Sequence, residues 1–207
     1  MAKIQAVVKN DEAVGELPSL HGRAMDNLKF IRETMEQATH FTAVPGYGGV
    51  FMGLTAIGAA FIAERQPLVK DWLAVWLIEA VLAFCIGLFA TWQKSKISNT
   101  PLLSAPARKF AMSFLPPLIC GIAITLGLWR LNHFEAIIPV WILLYGAAVV
   151  TGGSVSVRVV PVMGWCFIAL GAIDFFLPAG FGNSMMAFSF GVLHIVFGLI
   201  IARRFGG

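Results

Sequence analysis

Apolar residues dominate this chain in six long runs, at 47–63, 71–92, 109–129, 134–152, 159–177 and 184–202. Each approaches or exceeds the roughly 20 residues that a helix needs to cross a bilayer. The pattern predicts an all-α, polytopic membrane protein with six transmembrane helices. Gly152-Gly153-Ser154 and the 178–183 stretch carry turn chemistry, which predicts short links between antiparallel neighbours. Pro116-Pro117 removes two backbone donors inside the third run and predicts a kink or break there.

Residues 1–42 are polar and contain no apolar core of a signal peptide. Pro18 closes an aperiodic stretch for which disorder is expected. Beyond it, Ser19 is a suitable N-cap, and Leu20, Ala24, Leu28, Ile31 and Met35 recur at helical steps. The domain plan is therefore a cytoplasmic segment, 1–42, with an amphipathic helix over 19–41, followed by a membrane domain over 43–207. The helix face suits the membrane interface, a partner protein or the chain's own cytoplasmic end.

Composition agrees: 58% of the 207 residues are hydrophobic and 13% charged, against about a quarter charged in a soluble domain. Charge sets the orientation. Of the 15 Lys and Arg, only Arg65, Lys70 and Arg130 fall outside the N-terminal segment, the 2–3 and 4–5 links and the C-terminus. By the positive-inside bias both termini are expected in the cytoplasm. The net charge of +4 then reflects anionic headgroups and needs no nucleic acid.

Within the spans, small residues form stripes: Gly49 and Gly53 in the first, Gly87 in the second, Gly164 and Gly171 in the fifth, Gly191 and Gly198 in the sixth. Such stripes let helix backbones approach closely in lipid. Glu79, Asp174 and His194 lie on the same faces. Charges in a bilayer are costly and point first to function. At 1.5 Å per residue, Asp174 sits roughly 6 Å, Glu79 roughly 12 Å and His194 roughly 15 Å below the outer end of its helix. Tyr145 lies at a depth comparable to that of His194. These four, with Trp72 and Trp76 as an apolar wall, are the candidate ligand or proton site, open to the outside and closed near the midplane. The competing reading is structural: an interfacial Asp174, a protonated Glu79 and a His194 bonded to a nearby carbonyl. An imidazole ordinarily titrates close to physiological pH, which makes His194 a candidate proton sensor.

No catalytic, metal or cofactor site is expected. His194 is the one deep histidine, so a single-chain bis-histidine haem lacks its second ligand, although a dimer pairing two His194 rings would supply it. Zinc needs three or four ligands at one depth. No Walker A loop, Gly-x-Ser-x-Gly elbow or His-Glu-x-x-His occurs. Cys85, Cys120 and Cys166 all fall within spans and suit small buried apolar roles.

Folded as the hairpins 1–2, 3–4 and 5–6, each second helix carries Glu79, Tyr145 or His194 near its middle, and a basic cluster follows each. The first helices share a texture, as in GLTAIGAAF (53–61), GIAITLGLW (121–129) and GWCFIALGAIDFF (164–176). Over 47–204 this resembles the small six-span bacterial membrane proteins of the acid-resistance HdeD type; residues 1–42 depart from that pattern. The resemblance implies an inner-membrane protein with a stress-related role and no catalysis, and it assigns no residue. The leading expectation is a non-enzymatic protein that binds a small ligand or protein partner in a stress-response or regulatory role. A proton- or ion-linked oligomeric transporter or channel is the alternative, and a membrane subunit of an electron-transfer complex the second. Expected partners are the bilayer, a second copy of the chain and a cytoplasmic protein meeting residues 19–41.

Overall fold

The computed structural model describes residues 25, 27–29, 31, 44–97 and 104–205. The chain divides into two compact units, Met1–Ala38 and Thr39–Gly207. In the first, Met25, Leu28, Lys29 and Ile31 are helical and exposed. The remainder of the expected 19–41 helix and the polar stretch before it lie outside the described residues.

The second unit is helical, with no strand among the described residues. Its helices are α1 (Gly46–Ala63), α2 (Val69–Ile97), α3 (Ala105–Arg130), α4 (Ile137–Gly153), α5 (Val159–Asp174) and α6 (Gly182–Phe205). Five are long and apolar enough to cross a membrane, α4 together with the short turn Phe134–Ala136 before it; α5 is a shorter apolar helix. These helices mark the chain as a membrane protein.

Local chemistry fixes the ends. α2 begins with Asp71 in its first turn and finishes with Lys94 and Lys96 in its last, each favourable to the helix dipole. Ser104 caps α3 by accepting from the Ala107 amide at 3.4 Å, with Pro106 at a position that needs no donor. The same helix closes through Asn132, whose φ of 58° lets His133 N–H donate to the Leu128 carbonyl at 2.9 Å.

Two expectations need correction. Of the kink or break expected at Pro116-Pro117, the break does not occur: α3 is continuous from Ala105 to Arg130. Pro117 cannot donate to the Ser113 carbonyl one turn earlier, but Thr151 Oγ1 of α4 lies 2.8 Å from it and can donate there, in competition with its own Ala147 carbonyl, also at 2.8 Å. A side chain on a neighbouring helix thus replaces the lost partner, as prolines in membrane helices require. Thr151→Val is expected to lower stability by about 1–3 kcal/mol by orphaning that carbonyl, measured as resistance to denaturing detergent; an unchanged midpoint would refute the compensation. The second correction is one of boundary: of Gly152-Gly153-Ser154, read as a turn, α4 continues through Gly153 and the short link to α5 begins with a turn at Ser154. There, a methyl group on Gly153 would fall 2.8 Å from Val160 Cγ1 and 3.0 Å from Pro161 N, so the glycine serves close packing.

The helices associate as two triplets. α1 lies between α2 and α6, and α4 lies between α3 and α5. α5 and α6, expected as a hairpin, touch only lightly. The two tightest seams are glycine seams. A Cβ on Gly53 would fall 2.5 Å from the Gly191 carbonyl oxygen across α1–α6, and one on Gly146 would fall 2.8 Å from the Gly164 oxygen across α4–α5. The core joins both triplets through Trp76, Ile142, Met163, Phe167, Met186 and Ile201. By contrast, only 11% of the most apolar stretch of α2, and of α3, is buried, against 44% for α1. The outer helices therefore turn most of their apolar surface outward, as lipid-facing helices do.

Candidate functional site

Polar side chains inside the bundle gather in three places rather than one. Deepest is a pair formed by Tyr145 on α4 and His194 on α6, with Oη 2.7 Å from Nε2. Phe167 of α5, fully buried, lies 4.9 Å from Tyr145 and 5.4 Å from His194 between ring centroids. Phe190 stacks on His194 at 6.1 Å, and Phe114 meets Tyr145 edge-on at 6.1 Å. His194 stands where α6 leaves a π-helical stretch, Ala187–Leu193. Within that stretch, Ser189 is wholly buried and its hydroxyl donates to the Met185 carbonyl at 2.6 Å. A side chain that occupies a main-chain acceptor competes with the α-helical ladder. His194 Nδ1 is buried without a well-formed hydrogen bond, although the Phe190 and Ser189 carbonyls face the ring. When Tyr145 donates to Nε2, the ring proton sits on Nδ1 and points at those carbonyls.

The second cluster ties helix ends together. Trp72 and Trp76 of α2 both donate their indole N–H to Asn183 Oδ1, at 2.8 and 3.2 Å. Asn183 in turn donates to Glu64 Oε2 at 2.7 Å. Trp141 stacks on Trp72 at 6.4 Å and donates to Thr125 Oγ1 at 2.7 Å. One amide thus joins α1, α2 and α6, while the indole stack brings in α4 and, through Thr125, α3. Amphipathic indoles with one satisfied N–H and a broad apolar face suit that role at a membrane boundary.

The third is the contact of Glu79 with Thr55. Glu79 is 7% exposed, and Thr55 Oγ1 lies 2.8 Å from its Oε1. The same hydroxyl lies 2.9 Å from the Met52 carbonyl. Its single proton serves one acceptor at a time. If it goes to Met52, the carboxyl must carry a proton and donate to Thr55; if it goes to Glu79, the carboxyl is ionised. No cation pairs with Glu79 among the described residues. Asp174, the last residue of α5, is likewise buried and has no side-chain hydrogen bond or ion pair among the described residues.

Of the six candidate residues, the fold therefore unites Tyr145 with His194 and Trp72 with Trp76. No hydrogen bond or ring contact joins either pair to Glu79 or Asp174. A groove of about 610 Å³ runs instead between α1 and α2, lined by Tyr47, Phe51, Thr55, Cys85, Phe89 and Lys94 among others. None of the six candidates lines it, but Thr55 does, and Thr55 holds Glu79. Sequence reasoning missed Thr55, Asn183, Phe167 and the groove. Thr55 left a signal as the one hydroxyl in the middle of an otherwise apolar span. Among the described residues no three of His, Cys, Asp and Glu come together as a metal site would need.

No family model, curated protein or solved structure matches this chain.

Proposed function

We propose that this chain is a non-enzymatic integral membrane protein that binds a small ligand at the α1–α2 groove, in a stress-response or regulatory role. The observation carrying this reading is the groove itself. It falls within the range of about 300–1,000 Å³ usual for small-molecule sites, and a hydroxyl in its wall is bonded to a buried carboxyl that has no counter-ion among the described residues. Such a carboxyl is costly in a membrane interior and points to function. Ligand in the groove and proton on Glu79 would be coupled through Thr55, whose hydroxyl turns toward one acceptor or the other.

In this reading α5 also crosses the membrane, as the fifth of six spans, with both termini cytoplasmic in a bacterial inner membrane. Lys94 supports the orientation: its ammonium donates to the carbonyls of Val44 and Phe205, at 2.9 and 3.0 Å, so the start of α1, the last turn of α2 and the end of α6 meet at one end. Arg203 and Arg204 lie in that same last turn of α6, and basic residues of this kind favour the cytoplasmic side. The architecture resembles the HdeD type in span number, and a stress role rests on that resemblance.

Native mass spectrometry of the detergent-purified protein, with an absorption spectrum of the same sample, tests the reading. A copurified molecule of defined mass is expected, without a chromophore. Glu79→Gln is expected to keep the fold, with stability within about 1 kcal/mol because the amide retains an acceptor for Thr55, and to abolish the response to ligand or pH. Loss of the fold in that variant would make Glu79 structural. Glu79, without a cation among the described residues, also favours a second reading, an oligomeric proton-linked transporter, which predicts flux in liposomes that Glu79→Gln abolishes.

A further inference from the structure

The groove's walls carry information about its occupant. Tyr47, Phe51, Phe89 and Ile97 line it and are each more than half exposed, so it opens sideways on the flank of the bundle. That flank is apolar along α1 and α2, with Leu54, Phe61, Val81 and Phe84 exposed nearby. Polar groups sit at its two extremes: the Gln93 amide where α2 ends, beside Lys94, whose ammonium is held by the Val44 and Phe205 carbonyls and lends the groove its charge, and the Thr55 hydroxyl half-way along α1. The helices are pinned at that polar end. A Cβ on Gly48 would fall 2.6 Å from Ala90 Cβ, so the groove is a preformed shape and not a gap between loose helices.

We propose that one acyl chain of a bilayer glycerophospholipid occupies this groove, its headgroup at the Gln93–Lys94 end and its chain directed toward Thr55. The inference rests on the ligand-binding reading above and names the class of ligand. From Lys94 to Cys85 the wall of α2 rises about 14 Å. An alkyl chain can lie along a wall of that length with one side against the surrounding hydrocarbon. The sideways opening selects a bilayer lipid over a free fatty acid, because a second chain can remain in the surrounding hydrocarbon. A void facing lipid on one side and lined by carbon on the other loses dispersion contacts unless a chain fills it. Polar and apolar segments are ordered as in the lipid itself: headgroup partners at the helix ends, carbon walls further in. The tip of the chain would then press on the Thr55 face, which ties occupancy to the proton choice at Glu79.

The test uses the full chain reconstituted in vesicles of phosphatidylethanolamine and phosphatidylglycerol, then extracted for native mass spectrometry. Wild type is expected to retain one phospholipid per chain. Cys85→Trp, which puts an indole into the groove from an exposed position, is expected to lower retention about tenfold, equivalent to losing roughly two buried methylenes. Cys120→Trp, exposed on α3 away from the groove, is expected to leave it unchanged. If Cys85→Trp fails to fold, a bimane label on Cys85, with Cys120 and Cys166 changed to serine, replaces it. Quenching by phospholipids brominated along the chain is then expected to exceed that of the same label on Cys120. Equal retention in both tryptophan variants, or equal quenching at both cysteines, overturns the proposal. So does retention of a free fatty acid or of a non-lipid molecule; if that binding is lost in Glu79→Gln, the ligand-binding reading stands without this one. No bound molecule in any sample overturns both.

Discussion

Phe167→Ala is expected to lower the stability of the membrane unit by about 3–5 kcal/mol, the largest effect of any truncation in the bundle. The ring is fully buried and packs on three others, with centroids 4.9 Å from Tyr145, 5.3 Å from Phe190 and 5.4 Å from His194. Those neighbours come from α4 and α6, so the ring is where α5, already seamed to α4, also reaches α6. Its removal deletes transfer free energy and leaves a void that rigid aromatic neighbours fill poorly. It also strips cover from the His194 ring, whose Nδ1 is buried without a well-formed hydrogen bond. Water reaching that nitrogen would offset part of the loss, which places the expected value nearer the lower figure if the void is wetted. Phe167→Leu keeps most of the volume and is expected to cost less than about 1.5 kcal/mol. Unfolding in a graded mixture of mild and denaturing detergent measures both. A loss below about 1 kcal/mol for the alanine variant would show that this ring is not the junction of the triplets.

Gly198→Leu and Gly53→Leu should be nearly as damaging, by the opposite mechanism. A Cβ on Gly198 would fall 2.7 Å from the Gly46 carbonyl oxygen and 2.8 Å from the Val50 nitrogen. On Gly53 it would meet the Gly191 oxygen at 2.5 Å and Ile195 Cγ1 at 2.7 Å. Most of these atoms are main chain in two regular helices, which cannot turn aside as a side-chain end can. α1 and α6 would have to part along their whole seam, at a cost of at least about 3 kcal/mol, the upper end of ordinary overpacking. Two glycines provide the contrast. At Gly87 a methyl group meets only Met52 Sδ at 3.5 Å, and at Gly58 nothing within 4 Å. Alanine at Gly58 is expected to stabilise by about 0.5–1 kcal/mol through helix propensity. If leucine at Gly198 and alanine at Gly58 prove equally harmless, the seam is not the close approach described.

These two cases also mark the limits of what the chain's sequence discloses. Apolar runs located the helices well, because lipid demands unbroken carbon. They underestimated α2, which continues five residues past Trp92 to Ile97; Lys94 and Lys96 are helical, since long basic side chains can cover apolar surface and still reach polar surroundings. They overextended α5, which ends at Asp174, because Phe175 and Phe176 are apolar enough to prolong a run while forming a turn. Equal depth for Tyr145 and His194 followed from helical rise alone. Their hydrogen bond did not, since it requires knowing that α4 and α6 meet. The small faces of the first and sixth spans were both legible, yet nothing in either named the other as its partner. Asn183 read as a turn residue, and only the folded chain gives it two indoles and a carboxylate. The π-helical stretch before His194 has no sequence pattern of its own beyond the buried Ser189.

The pairing of α1 with α6 bears on the order in which the protein assembles. α3, α4 and α5 are consecutive and can pack as soon as they enter the membrane. α1 and α2 precede them, yet the glycine seam of α1 has no mate until α6 is made. During synthesis that seam stands open to lipid and to other chains, and long-range partners of this kind form slowly. The final turns of α6, whose Phe205 carbonyl accepts from Lys94, are thus the closing piece of a structure begun at Gly46. A chain cut short before Gly191 would lack the whole inner wall of its first triplet.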